Sequence, residues 1–124
     1  MARFITLDRA RQLTGKYRRE RARILPERLP ICETFDAGPF LTVLNKPGCV
    51  GLRIYFGMDD TYNVRAVIVG VNANDKDMIT IPPPITSLAA PVEGTIYDDD
   101  GSHDIIEEGL TCPPVCPPDS PLYP

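Results

Sequence analysis

The chain has 124 residues, of which 43% are hydrophobic and 24% are charged, and its net charge at pH 7 is −4. This length is typical of one small domain, and no apolar run approaches the ~18–20 residues of a transmembrane helix. The net charge conceals a division, because residues 1–30 sum to +6 and residues 31–124 sum to −10. Opposite charges attract, so the basic segment is expected to dock on its own acidic body or on an acidic partner, which includes a second copy.

The composition predicts a single domain, 1–124, in three parts. Residues 1–30 form a basic helix and a linker, residues 31–81 form a helix and a β-hairpin core, and residues 82–124 form an acidic, extended tail with ten of the 14 prolines. The N-terminal residues lack the apolar core and the cleavage site of a signal peptide, which predicts a cytoplasmic location.

Two helices are predicted in the first 45 residues. Thr6 is a suitable N-cap for the first helix, whose apolar residues recur at helical spacing, and Pro26 ends it. Asp36 begins a second, shorter helix, with Pro39 in its first turn.

Two strands follow these helices. Residues 50–58 alternate, which places Leu52, Ile54, Phe56 and Met58 on one face, and residues 64–71 are almost continuously apolar, as in a central strand. Ser102 or Asp104 is predicted to cap a short helix over residues 105–110. The predicted fold is α+β: two N-terminal helices packed on a small antiparallel, hairpin-based sheet, followed by an extended proline-rich C-terminal tail.

Four cysteines are candidates for a metal site or for disulfides: Cys32, Cys49, Cys112 and Cys116. Only the last two have the short spacing of zinc ligands, and prolines occupy their spacer. Polyproline geometry would separate their Cα atoms by roughly 10–12 Å, too far for a disulfide. The prediction is therefore that these two thiols do not pair with each other, and that each meets Cys49, Cys32 or a second chain instead. Reducing conditions favour free thiols. No cofactor is predicted, although zinc remains an alternative.

The sequence contains little that indicates catalysis or nucleic-acid binding. His103, the only histidine, lies near Asp104, Glu107 and Glu108, but these residues are expected on a solvated turn and helix face. Phosphate-binding glycine loops and nucleophile motifs are absent. The arginines are not interleaved with aromatic residues and the remainder of the chain is acidic, so nucleic acid is an unfavourable partner.

Three segments carry a resemblance to a known family. PGCVGLRIYFGM (47–58), AVIVGVNAND (66–75) and CPPVCPP (112–118) resemble a family of small bacterial proteins that combine a glycine-flanked hairpin with a proline–cysteine tail. The resemblance extends from about Glu33 to the C-terminal region. It implies a cytoplasmic bacterial protein in which the tail is an integral part. The family has no activity attached to it, so the resemblance implies no catalytic residues.

The functional hypothesis is a non-enzymatic interaction or self-assembly module. Its basic helix would dock on an acidic surface of a protein partner or of a second copy, and its tail would lie across the neighbour through the apolar side chains of Leu122 and Tyr123. The basic residues assigned to this contact are Arg18, Arg19, Arg21 and Arg23. The alternative is a small metal-binding or redox-linked protein that uses its cysteines.

Overall fold

The structure, a computed structural model, describes residues 3–81 and 101–122, and over these residues the predicted α+β class is confirmed. Leu122 is therefore described, whereas Tyr123 and residues 82–100 of the predicted tail lie outside the described residues. The elements are β1 (Arg3–Phe4), α1 (Leu7–Glu20), β2 (Cys32–Thr34), α2 (Ala37–Leu44), β3 (Cys49–Met58), β4 (Val64–Asn72), β5 (Ile105–Glu107) and β6 (Leu110–Cys112).

The strands form two antiparallel sheets. The larger has the order β1-β5-β4-β3, and the smaller consists of β2 paired with β6. The nearly continuous apolar sequence of β4 is explained by its central place, because both of its faces are covered. Strand β3 is long, and within the described residues it pairs with β4 alone, which makes it an edge of the sheet.

Helix α1 covers one face of the larger sheet. The Thr6 side chain accepts a hydrogen bond from the Arg9 backbone N–H at 3.1 Å and so caps the helix. Leu13 is 1% exposed and packs where β3 carries Gly57. A Cβ atom at residue 57 would lie 2.8 Å from the Leu13 Cβ atom, so this close approach of helix to strand requires glycine.

Helix α2 covers part of the opposite face. Its Val43 is buried with Ile68 and Ile106, and Phe35 and Phe40 pack around them. The side chains of Leu41 and Leu44 on the same helix remain exposed. The second face of the sheet is therefore less completely covered than the first.

An ion pair links the segment between α2 and β3 to the residue that precedes β5. The Lys46 ammonium group donates to the Asp104 carboxylate, which is almost fully buried, and to the Ser102 carbonyl at 2.8 Å. The second carboxylate oxygen of Asp104 accepts from the Thr80 backbone N–H at 2.6 Å. Burial alone would raise the pKa of Asp104, but these hydrogen bonds outweigh it and hold the pKa below its ordinary value.

The predicted helix over residues 105–110 is wrong. These residues contribute to strands β5 and β6, and Ile105 and Ile106 are core residues. The Asp104 carboxylate is occupied by Lys46 and Thr80 and does not cap a helix, and the two β-branched residues pair with Ile68 and Val69 of β4. The C-terminal region thus differs from the predicted extended tail, because part of it lies within the sheets.

Candidate functional site: an open edge strand, a basic surface and a cysteine cluster

The hydrogen bonds of β4 show on which side of β3 the backbone N–H and C=O groups of each residue lie. The Gly70 carbonyl accepts from the Met78 N–H at 2.9 Å, and the Ala66 N–H donates to the Glu33 carboxylate at 2.7 Å. Both groups therefore lie on the side of β4 away from β3. In an antiparallel pair, the residue opposite such a position also turns its backbone groups away from the shared ladder.

Three residues of β3 consequently present their backbone N–H and C=O groups at the open edge. Leu52 is opposite Gly70 and Phe56 is opposite Ala66, and Ile54, midway between them, has the same orientation because the direction alternates with a period of two. None of these backbone groups has a partner within residues 3–81 and 101–122. A row of unpaired backbone donors and acceptors is a template for another strand.

The same three residues carry an apolar row on one face of the sheet. Leu52 is half-buried, whereas Ile54 and Phe56 are 56% and 55% exposed. Helix α2 leaves this part of the face uncovered. Exposed apolar side chains along an unpaired edge are typical of a surface that binds protein.

The four predicted interaction arginines lie in the last turn of α1 and in the 3-10 turn that follows it. Arg18, Arg19, Arg21 and Arg23 are all exposed, and none has an ion pair with another described residue. They follow Tyr17, whose ring centroid is 6.0 Å from that of Phe56. The contacts of α1 with its own chain come instead from Lys16, which donates to the Asp59 carbonyl at 2.8 Å, and from Arg9, 3.9 Å from the Asp60 carboxylate. Among the described residues, the four arginines therefore contribute no ion pair to the fold.

The structure contradicts the prediction for Cys112 and Cys116. They form a disulfide with a Cα–Cα distance of 4.6 Å. The Cys112–Pro113 and Pro113–Pro114 peptide bonds are both cis, so the segment turns back where trans polyproline geometry would extend it. Cys32 and Cys49 are free thiols, and both are partly buried. Within the part of the chain that the structure describes, there is no group of three or more histidine, cysteine, aspartate or glutamate side chains arranged to hold a metal ion.

Two of the acidic residues predicted on a solvated face are buried: Asp104 and Glu107. His103 itself is exposed, and its ring stacks on that of Phe4 at 4.5 Å. The Glu107 carboxylate lies 3.6 Å from Nε of Arg65, at a surface cavity of about 440 Å³. Burial raises the pKa of Glu107, although the Glu108 N–H and the positive charge of Arg65 oppose the shift.

Replacing Glu107 with glutamine is expected to stabilise the protein at neutral pH. The pKa of Glu107 is higher in the folded protein than in the unfolded chain, so protonation of this carboxyl group favours folding at a pH below the unfolded-state pKa. This contribution to stability is lost as the pH rises through the folded-state pKa. The glutamine variant has no such dependence, so its melting temperature should exceed the wild-type value at pH 7 by roughly 3–6 °C, the effect of about 1 kcal/mol in a domain near this size. Thermal melts between pH 4 and pH 8 should show this difference shrink towards pH 4.

The neighbouring substitution Glu108→Gln provides the control, because this side chain is 41% exposed and pairs with Arg3 at the surface. It should shift the melting temperature little. A loss of stability in the Glu107→Gln variant at pH 7 would mean that the attraction of Arg65 outweighs the cost of burying the charge.

No helix among the described residues is long and apolar enough to cross a membrane. Comparison of the chain with protein-family models, with curated proteins and with solved structures finds no match.

Proposed function

We propose that the protein is a non-enzymatic self-assembly module in which two copies pair through their β3 edges. The observation that carries this proposal is the coincidence, on Leu52, Ile54 and Phe56, of unpaired backbone groups with exposed apolar side chains. The occupant is a second copy of the chain because an antiparallel strand is complementary to itself about a two-fold axis. The two larger sheets would become one.

The side chains of β3 favour one register for this pairing. With Ile54 opposite Ile54 of the second copy, Leu52 lies opposite Phe56, and all three residues bond through the backbone groups that face the edge. On the other face, Arg53 lies opposite Tyr55. A shift that placed Arg53 opposite Arg53 would bring like charges together and is disfavoured.

The basic surface and the C-terminal residues complete the proposed contact. The exposed arginines at and just beyond the end of α1 follow Tyr17, whose ring is near that of Phe56, and they would meet an acidic surface of the second copy. Leu122, which is 94% exposed, would lie across the neighbour together with Tyr123. This electrostatic and apolar component is separable from the strand pairing by experiment.

Substituting Ile54 with lysine should convert the dimer to a monomer. Two lysines directly opposite each other repel, and neither can be desolvated at the centre of the contact. Sedimentation should give twice the 13.7-kDa chain mass for the wild type and a single chain mass for the variant at the same concentration. Because Ile54 is exposed, the circular dichroism spectrum should be unchanged.

Ile31→Lys is the matched control, since Ile31 is 57% exposed and lies outside β3. This variant should remain dimeric. A monomeric wild-type protein at 100 µM, or an Ile54→Lys variant that stays dimeric, would contradict pairing through β3. Reversing the charge at Arg18, Arg19, Arg21 and Arg23 tests the basic surface separately, and unchanged association at low salt would remove it from the proposal.

A further inference from the structure

Three of the four cysteines meet where β2 pairs with β6. Cys32 is directly opposite Cys112 in this ladder, and the Ile31 N–H donates to the Cys112 carbonyl at 2.7 Å. Residues directly opposite each other in an antiparallel pair point their side chains to the same face, with Cβ atoms about 4.5–5.5 Å apart. The free thiol of Cys32 therefore lies beside the Cys112 end of the Cys112–Cys116 disulfide.

The burial of these cysteines differs in a way that matters for reactivity. Cys112 is 0% exposed, so a thiol from solution does not reach its sulfur atom. Cys32 and Cys116 are both partly exposed. Cys116 follows Pro113, Pro114 and Val115, which are exposed. The thiol that can reach the buried Cys112 sulfur is therefore the Cys32 thiol of the same chain.

We propose that Cys32 and the Cys112–Cys116 disulfide undergo thiol–disulfide exchange within the chain. The Cys32 thiol loses its proton to water, and the thiolate attacks the Cys112 sulfur. A Cys32–Cys112 bond forms as the Cys112–Cys116 bond breaks, and Cys116 departs as a thiolate that takes a proton from water. One disulfide is exchanged for another, so no external oxidant or reductant is required.

The exchange moves the free thiol from Cys32 to Cys116. It joins β2 to β6 covalently and releases Cys116 beside the exposed turn of residues 113–115. A thiol there is accessible to a disulfide of another protein, with which it can form a mixed disulfide. Cys116 is thereby the site that would react with another protein, and Cys32 is the nucleophile within the same chain. This inference does not depend on pairing through β3.

The test begins with oxidised protein that contains one disulfide per chain. The protein is incubated at pH 8, acidified to stop exchange, and labelled with N-ethylmaleimide under denaturing conditions at low pH. Mass spectrometry after a digest that separates residue 32 from residue 112 should find a Cys32–Cys112 linked peptide together with labelled Cys116. Failure to find this linked peptide in the wild type would overturn the proposal.

Three variants locate the nucleophile. Cys32→Ser should reduce labelling of Cys116 at least tenfold, whereas Cys49→Ser should leave it unchanged, because Cys49 lies at the start of β3 and donates to the Gly51 carbonyl. Cys116→Ser should form the Cys32–Cys112 bond when treated with glutathione disulfide. Equal Cys116 labelling in wild type and Cys32→Ser, or a Cys116→Ser variant that accumulates only glutathione adducts, would overturn the exchange.

Discussion

Replacing Lys46 with methionine is expected to lower the free energy of unfolding by about 3 kcal/mol. The substitution leaves the Asp104 carboxylate buried without its cation, and a buried charge that loses its partner is far more costly than a weakened surface pair. The loss should be measured by urea unfolding at pH 7. It should diminish as the pH falls through the lowered pKa of Asp104, because that carboxylate contributes to stability only while it is ionised.

Two further variants separate the charge effect from a packing effect. Lys76→Met removes an exposed lysine and should change stability by no more than about 0.5 kcal/mol. Adding Asp104→Asn to Lys46→Met removes the orphaned charge and should recover part of the loss. If the double variant is as unstable as the sum of the two single variants, the carboxylate and the ammonium group are not coupled.

Replacing Leu13 with alanine should cost roughly 3 kcal/mol. Leu13 is almost completely buried and is the α1 residue nearest Gly57. The backbones of α1 and β3 are already in close contact at this point, so they cannot move closer to fill the cavity that alanine would leave. Chemical unfolding at low protein concentration, where association does not contribute, gives the value.

Leu41→Ala is the control for Leu13→Ala, because Leu41 also lies within a helix but is 55% exposed. Its effect should remain within about 0.5 kcal/mol. Equal losses from the two substitutions would mean that α1 does not depend on its contact with β3.

The parts of the fold that follow from local sequence were predictable. The Thr6 cap, the alternation of β3 and the apolar run of β4 are each set by neighbouring residues, and β3 and β4 lie within one residue of their predicted bounds. The C-terminal end of α1 was predicted less well, because the helix ends at Glu20, before the predicted stop at Pro26. Strands β5 and β6 could not be predicted from local sequence, because they form by pairing with β4 and β2, which are distant in sequence. The side-chain acceptors of Asp104 that suggested a helix cap are used by Lys46 and Thr80 from elsewhere in the chain.

Some features of the candidate sites could also be predicted from local sequence, and others could not. Exposure of the four arginines could be predicted from their charge, because arginine side chains are almost never fully buried unless they are paired. The disulfide could not, because the sequence alone favours the trans isomer of a prolyl peptide bond, and tertiary contacts decide the isomer at each position. The apolar row on β3 was recognised, but its value as a binding edge depends on which neighbour β3 lacks, and only the strand order reveals that.

The short strand at the opposite side of the larger sheet determines how far assembly can proceed. The two edges of this sheet are β3, with ten residues, and β1, with two. Pairing of two β3 strands would consume both long edges and, over the described residues, leave only β1 at each end of an eight-stranded sheet. An edge of two residues offers too few backbone groups to recruit a further strand, so the proposed assembly closes as a dimer and does not elongate into a fibre.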